Sequence, residues 1–201
     1  MKMNLNLSWY IPTPINMKCL FCLLLLLPAA ASAQLNVPDF TLNDVNKKTP
    51  VALSEFKNLK AIVVLFTTNE CPFDSYYKTR VKTLIELYSG KVQFLLINSA
   101  NDPQETPEKM TIHYTDFGVP YLEDKEQVAM DLFGARKSPE VYLLTPEADQ
   151  FKVVYSGAID DSPQVAEDTK ENYLKNAIEK LLTGQKIKIE NNRVIGCTIR
   201  R

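Results

Sequence analysis

Ala61-Ile-Val-Val-Leu-Phe66-Thr-Thr-Asn-Glu-Cys71-Pro72 decides the fold. Its first six residues are aliphatic, β-branched or aromatic without a polar interruption. That pattern predicts a central strand covered on both faces, because a strand with one wet face alternates instead. Pro72 stands where a first helical residue belongs, since its missing N–H costs nothing there. Beyond it Tyr76, Val81, Leu84, Ile85 and Tyr88 recur at helical spacing until Gly90 stops the helix. Val92 to Ile97 is a second continuous apolar run, and a strand that follows such a helix pairs parallel with the first. The stretch is therefore a βαβ unit, with Cys71 at the turn from strand to helix.

Working outward, Pro38-Asp-Phe-Thr-Leu42 and Pro50-Val-Ala-Leu53 alternate and predict two short strands in an N-terminal hairpin. Downstream, Pro107 to Phe117 carries a helical pattern closed by Gly118 and Pro120, and Gln127 to Phe133 a short helix ended by Gly134. Glu140 to Leu144 and Lys152 to Tyr155 flank Pro146-Glu-Ala-Asp149, a hairpin signal, and Tyr173 to Leu182 forms a last amphipathic helix. Neither a repeat nor a linker interrupts residues 34–201, which are expected to form one domain. The class is α/β.

The first 33 residues read differently. Met17-Lys18, the apolar Leu20 to Leu27 and Ala31-Ser-Ala33 form the three parts of a secretory signal, with cleavage expected after Ala33. Met17-Lys18 alone would open a complete signal. The apolar stretch falls short of the ~20 residues that a spanning helix needs, so no membrane span is expected once the signal is gone. No lipoprotein box precedes Cys19 or Cys22, and the product is expected in the periplasm or outside the cell. Removing the leader leaves 168 residues with 21 bases and 24 acids. A net acidic domain lacks the basic stripe that nucleic acid requires.

Cleavage also removes Cys19 and Cys22, leaving Cys71 and Cys197 in a compartment where a disulfide can persist. Two cysteines exclude a four-cysteine metal site, and no cofactor is implied. Unpaired N–H groups at a helix N-terminus favour a thiolate at Cys71, whereas Glu70 and Asp74 beside it oppose one. Asp74 also has a plain reading as a first-turn acid that suits the helix dipole. Cys71 is thus either a reactive sulfur or a buried structural one. The lone His113 reads as an ordinary helix residue. Glu105, Glu108, Glu123, Asp124, Asp160 and Asp161 are too scattered for a calcium loop and read as solvated surface.

Several short pieces, in order, carry a family resemblance: Pro38-Asp-Phe-Thr-Leu42, Phe66-Thr-Thr-Asn-Glu-Cys71-Pro72-Phe73, Tyr121-Leu-Glu-Asp124, Ser138-Pro-Glu-Val-Tyr142, Tyr155-Ser-Gly-Ala-Ile-Asp-Asp161 and Gly196-Cys-Thr-Ile199. Together they resemble the thioredoxin-like superfamily, and within it exported redoxins of the alkyl hydroperoxide reductase and thiol-specific antioxidant grouping. The resemblance implies a thioredoxin-like fold with extra N-terminal strands, a thiol oxidoreductase or antioxidant activity, and a protein disulfide, thiol reductant or peroxide as partner. It places Cys71 at the first cysteine of a Cys-x-x-Cys motif, with Asp74 where the second would stand.

Thr68 fits the threonine of the peroxiredoxin pattern Pro-x-x-x-Thr-x-x-Cys, and Val64 replaces its proline. The resemblance also implies a cis bond at Ser138-Pro139, with Pro72, Ser138 and Pro139 shaping the substrate groove. Arg136 lies near the place of a catalytic arginine. Thr67 replaces a cysteine that copper-binding relatives need. Cys197 is the candidate resolving sulfur, brought by a flexible tail, and a free or intermolecular thiol is its other reading. The whole chain is then either an exported thiol-dependent oxidoreductase or a non-catalytic binding module with a Cys71–Cys197 bridge.

Overall fold

The computed structural model describes residues 35–114, 116–187 and 191–201. The expected leader and its cleavage site lie outside them. The strands are β1 (Asn36–Val37), β2 (Thr41–Asp44), β3 (Thr49–Ala52), β4 (Ala61–Phe66), β5 (Val92–Asn98), β6 (Tyr121–Glu123), β7 (Lys137–Ser138), β8 (Glu140–Glu147), β9 (Gln150–Gly157), β10 (Asn191–Asn192) and β11 (Cys197–Thr198). The helices are α1 (Pro72–Leu87), α2 (Pro107–His113), α3 (Val128–Phe133) and α4 (Tyr173–Leu182).

The main sheet runs β1-β9-β8-β4-β5-β6-β2-β3, with β10 added to β9. The expected βαβ unit is β4-α1-β5, parallel in register from Ala61 opposite Val92 to Phe66 opposite Ile97. On the other side β8 runs antiparallel to β4, and the expected hairpin joins β8 to β9. The N-terminal hairpin is β2-β3, docked on β6. This is the thioredoxin-like arrangement that the sequence resemblance implies.

All six residues of β4 are buried, and their alternation divides two cores. Ala61, Val63 and Leu65 face Tyr77, Val81 and Ile85 of α1 and Leu174, Ala177 and Ile178 of α4. Ile62, Val64 and Phe66 face Phe40, Leu53 and the α3 residues Ala129, Met130 and Phe133. Each large side chain so covered contributes roughly 1.5–3 kcal/mol. That two-sided cover holds the C-terminal end of β4, and the loop to Cys71, at a fixed position.

Two expectations change. The helix after Pro107 ends at His113, because Tyr114 and Phe117 turn inward and pack edge-on, with Tyr114 also against Tyr121. Three of the acids read as solvated are buried: Glu105, Asp124 and Asp160. Asp160 accepts from the Tyr77 hydroxyl at 2.8 Å and pairs with Arg80 at 2.5 Å, tying α1 to the turn after β9. Asp124 accepts from Ser99 Oγ and from the first N–H groups of α3, which water cannot reach. A buried carboxylate persists where donors surround it, and these donors come from distant segments.

Candidate active site

The loop Thr67–Glu70 carries the chain from β4 into α1. Cys71 is the N-cap of that helix and Pro72 its first residue, as expected. The loop is held from the side by Glu105, whose carboxylate accepts from Asn69 N at 2.7 Å, Glu70 N at 3.2 Å and Asn98 Nδ2 at 2.7 Å. These N–H groups precede the helix and have no ladder partner, so Glu105 satisfies donors that burial would leave costly. Its distance along the chain from Cys71 hid this role from the sequence.

Across from the loop, the Ser138-Pro139 bond is cis, as expected. Ser138 belongs to β7, which pairs antiparallel with β11 so that Ser138 and Cys197 stand opposite each other. The two-stranded ladder delivers Cys197 to Cys71, and the two sulfurs are joined at 2.06 Å. Cys197 therefore arrives on a docked strand rather than a flexible tail. Ile199 N donates to Arg136 O, Asn101 N donates to Arg200 O, and Ile199 is buried in the second core. Arg136 contributes its backbone here and its side chain is exposed. His113 lies on α2, and no contact joins it to either cysteine.

Gly196 is what permits this docking. A Cβ there would lie 2.3 Å from Ser138 O and 2.8 Å from its carbonyl carbon, both backbone atoms that cannot rotate away. Gly196→Ala is therefore expected to lift β11 from the turn, and overpacking of this kind costs about 1–3 kcal/mol or more. Thiol titration of the folded, air-oxidised variant should find two free thiols where the parent has none. A variant still fully linked would show that the turn gives way.

Beneath the disulfide lies a hydroxyl cluster around Asp74. Thr67 Oγ1 donates to Asp74 Oδ1 at 2.7 Å, while Thr68 N at 3.2 Å, Thr68 Oγ1 at 3.3 Å and Ser138 Oγ all donate to Oδ2. Thr67 has one proton, so the Tyr114 hydroxyl, 2.9 Å from Thr67 Oγ1, is the donor in that contact. Asp74 does stand in the first turn of α1, but it is 3% exposed, and burial outweighs four hydrogen bonds to push its carboxyl from 3.8 up to about 7. Thr68 is brought to the site through Asp74 and Ser138, with its hydroxyl 3.2 Å from Ser138 Oγ. The Ser138 carbonyl is 3.3 Å from Cys71 Sγ, a contact that only the reduced thiol can turn into a hydrogen bond.

The sulfur pair opens onto a cleft of about 300 Å³ lined by Thr68, Glu70, Asp102, Glu105 and Arg200 among others. Pro72 is exposed, followed by the edge-on rings of Phe73 and Tyr76. Pro139 is buried behind Ser138. Of the expected groove residues, Ser138 thus touches the cysteines directly.

The Redoxin family model matches residues 32–178. The chain belongs to the Redoxin family. This redoxin is also similar in structure to a hypothetical protein of Sinorhizobium meliloti, at 28% identity and a TM-score of 0.75, covering 85% of this chain and 94% of that one. An uncharacterized conserved protein of Geobacillus kaustophilus is alike at 29% identity and a TM-score of 0.74, over 83% and 90% of the two chains. The fold recurs in the peroxidoxin BcpB of Mycobacterium tuberculosis, at 18% identity and a TM-score of 0.52, over 74% and 94%. No curated protein matches the chain. The match to the redoxins ends before β11, so Cys197 lies beyond the part of the chain that the family model covers.

Proposed function

We propose that this redoxin is an exported thiol-dependent oxidoreductase in which Cys71 is oxidised first, by a peroxide or a disulfide, and Cys197 closes the intramolecular bond. The Cys71–Cys197 disulfide, held between a helix N-terminus and a cis-proline turn, carries the reading. With a peroxide the atoms balance simply. The Cys71 thiolate attacks one peroxide oxygen and breaks the O–O bond, the alkoxide or hydroxide released takes a proton to leave as alcohol or water, and the Cys197 thiolate then displaces hydroxide from the sulfenic acid, which takes a second proton to leave as water. A second motif cysteine is unnecessary, because β11 supplies the resolving sulfur from the other end of the domain.

Export rests on the leader, and no helix among the described residues is long and apolar enough to cross a membrane. N-terminal sequencing of the cellular product should begin at Gln34. For the chemistry, the reduced protein is treated with one equivalent of hydrogen peroxide or of an alkyl hydroperoxide and mapped without reductant. The Cys71–Cys197 peptide pair should appear, vanish with a dithiol, and be absent from Cys71→Ser. A Cys71→Ser variant that consumes peroxide or reduces disulfides at the parent's rate defeats the proposal in favour of a binding module.

A further inference from the structure

We infer that the thiol which reopens the disulfide attacks Cys197 rather than Cys71, through the acidic cleft, and that the cleft selects neutral or cationic thiols over anionic ones. This rests on the reading of the pair as a redox couple and adds where the reductant enters and what charge it bears. Thiol–disulfide exchange is decided by which sulfur the attacking thiolate can reach and by which departing thiolate is better stabilised. Both considerations point the same way here.

Access comes first. Cys71 is 3% exposed, closed in by the Ser138 carbonyl at 3.3 Å and by the loop that Glu105 holds. Cys197 is half-buried, and it borders the same cleft from the strand on its rim. An incoming thiolate approaches along the sulfur–sulfur axis from outside the bond. Both cysteines border the cleft, and Cys197 is the more exposed of the two.

The departing group agrees. Attack on Cys197 forms a mixed disulfide there and releases the bonding pair to Cys71, whose sulfur then sits as a thiolate at the N-cap of a 16-residue helix. The positive end of that helix's dipole stabilises the new charge against the opposing Glu70 and Asp74 carboxylates, whereas Cys197, on the two-residue strand β11, has no helix terminus beside it. A second thiolate then attacks the mixed disulfide, leaves as a small-molecule disulfide with the first, and frees Cys197. Two thiols are oxidised and one protein disulfide is reduced.

Charge supplies the selectivity. Glu70, Asp102 and Glu105 line the cleft against a single cation, Arg200, which is itself committed to Asp102. Glu70 is exposed and makes no ion pair among the described residues. An anionic thiolate must enter against this field, whereas a thiol carrying an ammonium group is drawn in.

The test uses the oxidised, full-length mature protein with cysteamine, 2-mercaptoethanol and 3-mercaptopropionate, quenched by an alkylating agent and mapped by mass. Rates are taken per thiolate, relative to the same thiols reacting with an uncharged small disulfide. The adduct is expected on Cys197 with the alkyl group on Cys71. Cysteamine is expected to exceed 3-mercaptopropionate by about tenfold at low salt, with the ratio shrinking in about 0.5 M salt and in Glu70→Gln. Adduct on Cys71 overturns the inference and leaves the redox couple standing. Equal normalised rates for the three thiols overturn the charge selection. A bond that no thiol opens in the folded protein, yet all open in urea, overturns the redox reading as well.

Discussion

Cys197→Ser is expected to lower the stability of the air-oxidised protein by about 5 kcal/mol and to end turnover after a single oxidation of Cys71. The stability part follows from chain entropy: the bond closes a loop of 126 residues, and constraining a loop of that length in the unfolded chain amounts to about 5 kcal/mol. For a domain of this size the loss corresponds to roughly 10–20 °C in melting temperature. The control is the parent protein in excess dithiol, which lacks the same constraint and should unfold at the same urea concentration as the variant. Agreement between those two, well below the oxidised parent, assigns the difference to the bond. The functional part needs no such correction, since without a second sulfur the oxidised Cys71 has no intramolecular partner. If the variant cycles with a dithiol as fast as the parent, an external thiol resolves Cys71 and Cys197 has no part in turnover.

The central βαβ unit was legible because its physics is local. A six-residue apolar run, a proline at a helix start and a helical period terminated by glycine each act over a few residues. The placement of Cys71 followed directly. What composes the site around that sulfur is not local. Glu105 serves N–H groups at Asn69 and Glu70, Asp74 collects hydroxyls from Thr67, Thr68 and Ser138, and β11 pairs with β7 through two residues. Acids read one at a time look solvated, because nothing in the neighbouring sequence tells a buried acceptor from an exposed charge. Strands of two residues carry no period at all. For β6 and β7 the signal lay in what they pair with.

Glycine 196 is the exception, a long-range feature with a visible local mark. Its neighbour Cys197 would attract attention in any exported chain with two cysteines, and a glycine beside it suggests close approach of backbone. The family resemblance pointed to the same Gly-Cys ending, and the structure supplies its reason in the contact with Ser138 O.

Asp74→Asn is expected to raise stability at pH 8 and to flatten its dependence on pH. In the folded protein the carboxyl holds its proton up to about 7, whereas a free aspartate gives it up near 3.8. Between those values the folded state binds more protons than the unfolded chain. Stability contributed by this group is thus complete below about pH 4, falls as pH rises toward 7, and stays low above it. The full span is on the order of 4 kcal/mol, with a slope approaching 1.4 kcal/mol per pH unit near pH 5–6.

Asparagine can occupy the same space with its oxygen toward Thr68 N and Ser138 Oγ and its amide donating to Thr67 Oγ1. Thr67 would then donate to Tyr114, so no member of the cluster loses its partner. Urea unfolding of both oxidised proteins at pH 5, 6, 7 and 8 reads the effect. The parent curve should fall relative to the variant by a few kcal/mol across that range, and curves that remain parallel would show the carboxyl ionised throughout. Asp74→Ala leaves the hydroxyls without an acceptor and should destabilise at every pH. The same titration bears on chemistry, because an ionised Asp74 sits one helical turn from Cys71 and opposes its thiolate. Asp74→Asn should accordingly quicken the alkylation of reduced Cys71 above pH 7 more than below pH 6. That difference separates an electrostatic role for Asp74 from a purely structural one.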